Sequence, residues 1–233
     1  IEIKKNNKIF KELSEVKISF LGDSNSGKTT LFSILTNSTK DNGKGLSRNK
    51  ALKHLHEYSN GVTTSINYDI VGFKKNKLVN YSNLMDYSWE SIIKSTDNLV
   101  SLIDLPGNIK YIKTVLYGLL VHKPDYVCFI INCKKFNKKR YKYYLNILEN
   151  LNIDYFFVIT KIDICLKEEV DVIKKYINSS KKLFTLSNVT HENLNLFIDY
   201  IANLKPKNLK SINCNDKEFI VNDVYNIPYM GIV

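Results

Sequence analysis

Hydrophobic residues along the chain fall into short apolar runs that alternate with longer stretches of helical spacing. EVKISFLGD (15–23) reads as a strand ending in a glycine turn, and GKTTLFSILT (27–36) sets Leu31, Ile34 and Leu35 on one helical face. The pattern recurs as strand NLVSLIDLPG (98–107), helix IKYIKTVLYGLLVH (109–122) and strand DYVCFIIN (125–132). Helix KRYKYYLNILENL (139–151), strand IDYFFVITKID (153–163), a helix around 167–178, strand KLFTLS (182–187) and a helix over 191–204 complete the series. Strands apolar on both faces, alternating with helices, predict an α/β fold: a mainly parallel sheet with helices on both faces. Ligands of such sheets bind beyond the carboxyl ends of the strands.

Two stretches break the alternation. Residues 37–66 are polar and carry Gly43, Gly45 and Gly61, the composition of a mobile loop with some helical content. Residues 74–97, with the only tryptophan, Trp89, form an insertion between two strands. After Pro206 the chain turns polar, and FIVNDVYNIPYMGIV (219–233) then reads as the opening of a β-rich unit. The expected organisation is an N-terminal extension (1–14), an α/β domain (15–205), and a linker with the start of a truncated β-barrel (206–233). The first residue, Ile1, is not methionine, so an excerpt of a longer protein is expected.

The chemistry lies at the predicted strand ends. GDSNSGKT (22–29) fits G-x-x-x-x-G-K-[ST] between a strand and a helix, the context of a phosphate-binding loop. Backbone N–H groups of Ser26, Gly27, Lys28 and Thr29 would face phosphate oxygens, aided by the helix dipole. Lys28 would reach the β- and γ-phosphates, and the Thr29 hydroxyl would ligate Mg²⁺. Asp23, Ser24, Asn25 and Thr30 complete the loop. TKID (160–163) ends a strand with a carboxylate, Asp163, suited to the N1 and 2-amino donors of guanine, which adenine lacks on that edge. Two charge-assisted bonds at roughly 1.5–3 kcal/mol each give on the order of 10²- to 10⁴-fold preference. The Lys161 stem can lie over the base, with Thr160 ahead of it. Ser187, Asn188 and Val189 offer backbone N–H groups to the guanine O6. DLPG (104–107) sets Asp104 near the metal and the Gly107 N–H near the γ-phosphate. GVTTS (61–65) supplies a further metal ligand, Thr63 in preference to Thr64, from a loop that metal and γ-phosphate would order.

Composition changes this picture little. A formal net charge of +11, with KKFNKKR (134–140) its densest run, admits a polyanion partner such as RNA. Lysine abounds along the whole chain, however, and a charge run is most often a solvated face. Cys128, Cys133, Cys165 and Cys214 form no C-x-x-C pair and read as free thiols. No run approaches the roughly 20 apolar residues of a membrane helix, and IEIKKNNKIF lacks a signal-peptide core. The expectation is a soluble, cytoplasmic protein acting as a monomer.

Together GDSNSGKT, GVT, DLPG, TKID and SNV resemble the five motifs of translational GTPases such as elongation factors Tu and 1-alpha. The stretches DNGKGLSRNKALKHLHEYSNGVTTSINYDIVGF, SWESIIKST and LSNVTHENL are similar, more narrowly, to the GTP-binding protein 1 and 2 branch. This resemblance covers nearly all of 15–205 and implies a P-loop NTPase G domain that hydrolyses GTP to GDP and phosphate with Mg²⁺. It implies the ribosome, tRNA or other RNA as partners. His54 and His56 match residues of the branch's switch loop, where a structural role is expected. Thr160 stands where asparagine is commoner, and Ser24 replaces a valine-like residue. Asn25 occupies a spot that holds a monovalent cation in some relatives, which extends the cofactor list to K⁺. The departure of most consequence is Asn108, where many such GTPases carry a water-placing histidine. The catalytic set Asn108, Lys28 and Gly107 therefore predicts intact binding with slow hydrolysis. The alternative is a GTP-dependent switch that serves as a binding module.

Overall fold

The computed structural model describes residues 13–52, 54–84, 88–177 and 180–207, with the backbone of 226–227 and 231–232. In chain order the elements are β1 (Ser14–Gly22), α1 (Lys28–Asn37), α2 (Leu46–Asn49), α3 (Leu55–Asn60), β2 (Asn67–Lys74), β3 (Lys77–Val79), α4 (Trp89–Ser95) and β4 (Asn98–Asp104). There follow α5 (Ile112–His122), β5 (Tyr126–Asn132), α6 (Lys138–Asn150), β6 (Asp154–Thr160), α7 (Lys167–Ile177), β7 (Leu183–Thr185) and α8 (Leu194–Ala202). The seven strands form one sheet in the order β3-β2-β4-β1-β5-β6-β7. Strands β4, β1, β5, β6 and β7 run parallel, while β2 is antiparallel to β4 and β3 antiparallel to β2.

Continuous apolar strands follow from burial on both faces, with alternate residues feeding two cores. Ile18 and Phe20 of β1, Cys128 and Ile130 of β5, and Phe156 and Val158 of β6 join Leu31 and Leu35 of α1 and Phe197 of α8. Their neighbours Leu21, Phe129, Phe157 and Ile159 join Val115 and Leu119 of α5, Leu148 of α6 and Ile173 of α7. A polar or charged substitution at any of these positions would strand an unpaired group in one core or the other.

The 74–97 insertion holds β3 and α4, and the hairpin strand β3 was not anticipated from sequence. This insertion is fastened to β2 through Asp69, whose Oδ1 accepts from Tyr81 Oη at 2.6 Å and Trp89 Nε1 at 3.0 Å. The 37–66 segment has the predicted helical content, α2 and α3. Cys128 and Cys133 are buried free thiols and Cys165 is a partly exposed one. Cys214 and the 1–12 extension lie outside the described residues. Of the predicted β-rich unit, Asn226–Ile227 and Gly231–Ile232 pair antiparallel, and the rest of 208–233 lies outside the described residues. No helix among the described residues is long and apolar enough to cross a membrane.

Candidate nucleotide-binding site

Pairing brings the carboxyl ends of β4, β1, β5 and β6 side by side. Phe20 lies opposite Asp104, Gly22 opposite Ile130, and Asn132 opposite Thr160. The loop from β1 to α1 leaves the sheet at this edge and needs unusual backbone: Asn25 and Gly27 take φ of 58° and 91°. A side chain at Gly22 would run into the Ile130 carbonyl, and one at Gly27 would come 2.9 Å from Asn188 Nδ2.

The carbonyls of this loop are tied back one after another. Lys28 Nζ donates to Asp23 O at 2.8 Å, Asn132 Nδ2 to Asn25 O at 3.1 Å, Thr160 Oγ1 to Ser26 O at 2.6 Å, and Asn188 Nδ2 to Gly27 O at 3.1 Å. With its acceptors engaged behind it, the loop leaves the N–H groups of Gly27, Lys28 and Thr29 to face an anion, whereas Ser24 N donates to Asp23 Oδ1 at 2.7 Å and Ser26 N to Asp23 O at 3.3 Å. Asn132 was not singled out from sequence; its signal was only a polar residue ending the apolar run DYVCFIIN. Thr160, at the uncommon position of the guanine motif, is fully buried and also reaches Ile131 O at 3.2 Å.

A cavity of about 320 Å³ opens above this loop. Its wall includes Ser24, Asn25, Gly27, Lys28, Thr29 and Thr30 from the phosphate loop, Val62 and Thr63 from the switch loop, and Gly107. Lys161, Asp163, Asn188 and Val189 line it as well. Of the residues expected from sequence, Asp23, Ser26, Asp104, Thr160 and Ser187 do not line the cavity. Ser187 Oγ donates to Asp163 Oδ1 at 2.6 Å and accepts from Val189 N and Thr190 N, which fixes the carboxylate and the SNV turn together.

The three expected metal ligands converge. Thr29 Oγ1 donates to Asp104 Oδ2 at 2.7 Å and shares a 2.7 Å hydrogen bond with Thr63 Oγ1. The other oxygen of Asp104, Oδ1, is buried and accepts no hydrogen bond. Three hard oxygen donors with one orphaned carboxylate oxygen fit Mg²⁺, which takes one or two carboxylates and completes its shell with water and phosphate. Thr63 is presented by a buried carboxylate: Glu57 Oε1 accepts from Thr64 N at 2.7 Å, Thr64 Oγ1 at 3.0 Å, Ser65 N at 3.2 Å and Ser65 Oγ at 3.1 Å. Thr64 is held on Glu57 and does not line the cavity, whereas Thr63 does. His54 and His56 stack with ring centroids 5.4 Å apart, and His56 Nε2 lies 2.8 Å from Thr64 Oγ1.

Burial dominates the electrostatics. It raises the Asp104 pKa to about 6 against the pull of Lys28, and lowers that of Lys28 to about 8 against the pull of Asp104 and Asp23. Near pH 7 both groups are therefore charged and desolvated, a cost that a bound anion and cation would relieve. A raised carboxyl pKa favours folding while the group is protonated. This contribution is complete below about pH 3.8 and is lost as pH rises through about 6. Asp104→Asn removes it. Its stability relative to the unaltered chain, measured by urea unfolding without nucleotide or metal, should therefore improve by about 2–3 kcal/mol from pH 4 to pH 7. A flat difference would mean that Asp104 ionises like a solvated carboxyl.

Asn108 does not line the cavity; its Oδ1 accepts from Lys110 N at 3.1 Å and caps the 3₁₀ turn Ile109–Tyr111. In the KKFNKKR run the four lysines Lys134, Lys135, Lys138 and Lys139 are exposed and Arg140 is half-buried. Arg140 pairs with Asp23 of the phosphate loop, Lys134 with Glu169 at 3.0 Å, and Lys138 lies 5.0 Å from the centre of the Tyr176 ring.

A sequence profile of the elongation factor Tu GTP binding domain matches residues 14–219. GTP-binding protein 1 of Xenopus laevis is 30% identical over 94% of the chain, and GTP-binding protein 2 of Homo sapiens 28% identical over 94%. The chain spans only 38% and 42% of the lengths of these two relatives. A crystal structure of a bacterial selenocysteine-specific elongation factor superposes with a TM-score of 0.63 at 17% identity, covering 94% of this chain and 34% of that one. At that identity the likeness speaks for the fold.

Proposed function

Because the chain belongs to the elongation factor Tu GTP-binding domain family, we propose that it binds GTP and GDP and hydrolyses GTP to GDP and phosphate as a translational GTPase. The observation that carries this reading is a single cavity walled at once by the phosphate loop, Thr63, Gly107 and the Asp163 carboxylate. In this reading the N–H groups of residues 27–29 and the Lys28 ammonium bind the phosphates, and Asp163 selects guanine. Thr29, Thr63 and Asp104 would hold Mg²⁺, which supplies charge neutralisation at the phosphate oxygens. Gly107 packs so closely on the Lys28 ammonium and the Asp23 carbonyl that a side chain there would displace them. The Gly107 N–H would bond the γ-phosphate in this reading. K⁺ at Asn25 is part of the proposal; the Asn25 carbonyl is, however, already held by Asn132.

Ribosomes, tRNA or other RNA are the proposed partners, acting on a longer protein in which residues 206–233 open a second, β-barrel domain. The proposed site of action is the cytoplasm, with the chain as a monomer.

Titration of the purified chain with GTP and ATP in Mg²⁺, followed by GTP turnover of the full-length protein with and without ribosomes, tests both parts. Tight GTP binding with weak ATP binding is expected, and turnover that rises with ribosomes. Equal affinity for the two nucleotides would sink the guanine assignment. Turnover left at background by ribosomes would favour the second reading, a GTP-dependent switch that hydrolyses poorly. One observation supports that second reading: Asn108 caps a helical turn instead of facing the cavity.

A further inference from the structure

The cavity wall holds a cation that neither the phosphate loop nor the guanine motif supplies. Arg48, in α2 of the switch loop, lines the cavity, and among the described residues its guanidinium has no hydrogen bond or ion pair. Its Nε is buried without a partner. A guanidinium nitrogen that is both buried and unpartnered asks for an acceptor.

The loop is shaped around this group. Gly45 and Gly61 both take left-handed backbone, with φ of 91° and 62°, and a side chain on either would come 2.8 Å from Arg48 Nη2. Gly45 precedes α2 and Gly61 follows α3, so the two ends of the helical part of the loop close on one guanidinium. Gly61 lies two residues before Thr63, whose hydroxyl meets Thr29. The position of Arg48 is thus tied to that of the metal-ligating threonine. Its field also reaches the base end of the cavity, where burial, Lys135 and Arg48 together lower the pKa of Lys161.

We propose that Arg48 binds the phosphates of the nucleotide directly, from the switch-loop wall, in addition to Lys28 from the phosphate loop. The inference rests on the reading of the cavity as a guanine-nucleotide site. A planar fork of N–H donors matches phosphate oxygens in geometry and charge. Closure of the switch loop would then depend on phosphate charge as well as on the metal, and the two glycines let the backbone follow the guanidinium as it engages.

Competition binding of GTP, GDP and guanosine to the unaltered chain, Arg48→Gln and Arg48→Lys tests this. Arg48→Gln should weaken GTP and GDP by about 10- to 100-fold, the loss expected for charge-assisted bonds. Guanosine affinity should stay within about twofold, since it carries no phosphate for the guanidinium to contact. The difference from the unaltered chain should shrink as salt rises, and Arg48→Lys should recover part of the loss. Equal weakening of GTP and guanosine would make Arg48 a spacer between Gly45 and Gly61 and overturn the proposal, as would unchanged GTP binding. An unaltered chain that binds GTP while Arg48→Gln behaves identically defeats this inference alone. An unaltered chain that binds no guanine nucleotide defeats the functional reading, and this inference with it.

Discussion

Asp163→Asn should lower GTP affinity by about 10²- to 10⁴-fold while leaving the weak ATP affinity where it was, as measured by equilibrium titration of the purified chain. The carboxylate stands in the cavity wall with one oxygen anchored by Ser187 Oγ at 2.6 Å. An asparagine carbonyl can keep that anchor, so the turn through Val189 and Thr190 need not move. What the variant loses is the negative charge and one of two acceptors, against a guanine edge that presents two donors. An amide N–H placed against either donor is repulsive as well as unbonded. A loss of GTP affinity matched by an equal loss for ATP would point to a damaged pocket, and an unchanged GTP affinity would remove Asp163 from the site.

Asn108→His should raise GTP turnover by about 10²-fold or more, in the range a positioned proton-handling group contributes, with nucleotide affinity unchanged. Asparagine is among the best residues for capping a helical turn, and here its Oδ1 is engaged with Lys110 N. Placing water would require the side chain to leave that bond. Histidine is a poorer cap, so the substitution should cost about 1 kcal/mol in the Ile109–Tyr111 turn. In return it adds a longer side chain that can both orient water and exchange a proton. Steady-state turnover with and without ribosomes decides the matter: no increase in either condition would show that position 108 does not limit the reaction.

Much of this architecture could be read from the chain because the physics was local. The continuous apolar runs at 15–23, 125–132 and 153–163 became β1, β5 and β6 within a few residues, and the helices between them followed. The runs overshot at their polar ends: Ile162–Ile164 is a 3₁₀ turn after β6, and Ile109–Tyr111 another before α5. Those ends are where a strand must stop for a motif to begin. The residues forming the phosphate loop and the Thr29, Thr63 and Asp104 cluster were legible from spacing. The residues that hold them were not, because support comes from long range: Asn132 reaches back 107 positions to Asn25, and Thr160 134 positions to Ser26. Glu57 and Arg48 sat in a polar stretch with no periodicity to set them apart from their neighbours. Of KKFNKKR, for which the sequence reading is a solvated face or RNA contact, Lys134, Lys135, Lys138 and Lys139 are exposed, and what spacing did not show is the pairing of Arg140 with Asp23.

The tethering of the phosphate loop bears on kinetics. A cradle whose carbonyls are gripped by Asn132, Thr160 and Asn188, from three separate strand ends, has its conformational entropy removed at folding and not at binding. Such a cradle keeps its shape when nothing is in it. In the proposed reaction, release of GDP and capture of the next GTP would then pass through a vacant intermediate without the loop collapsing.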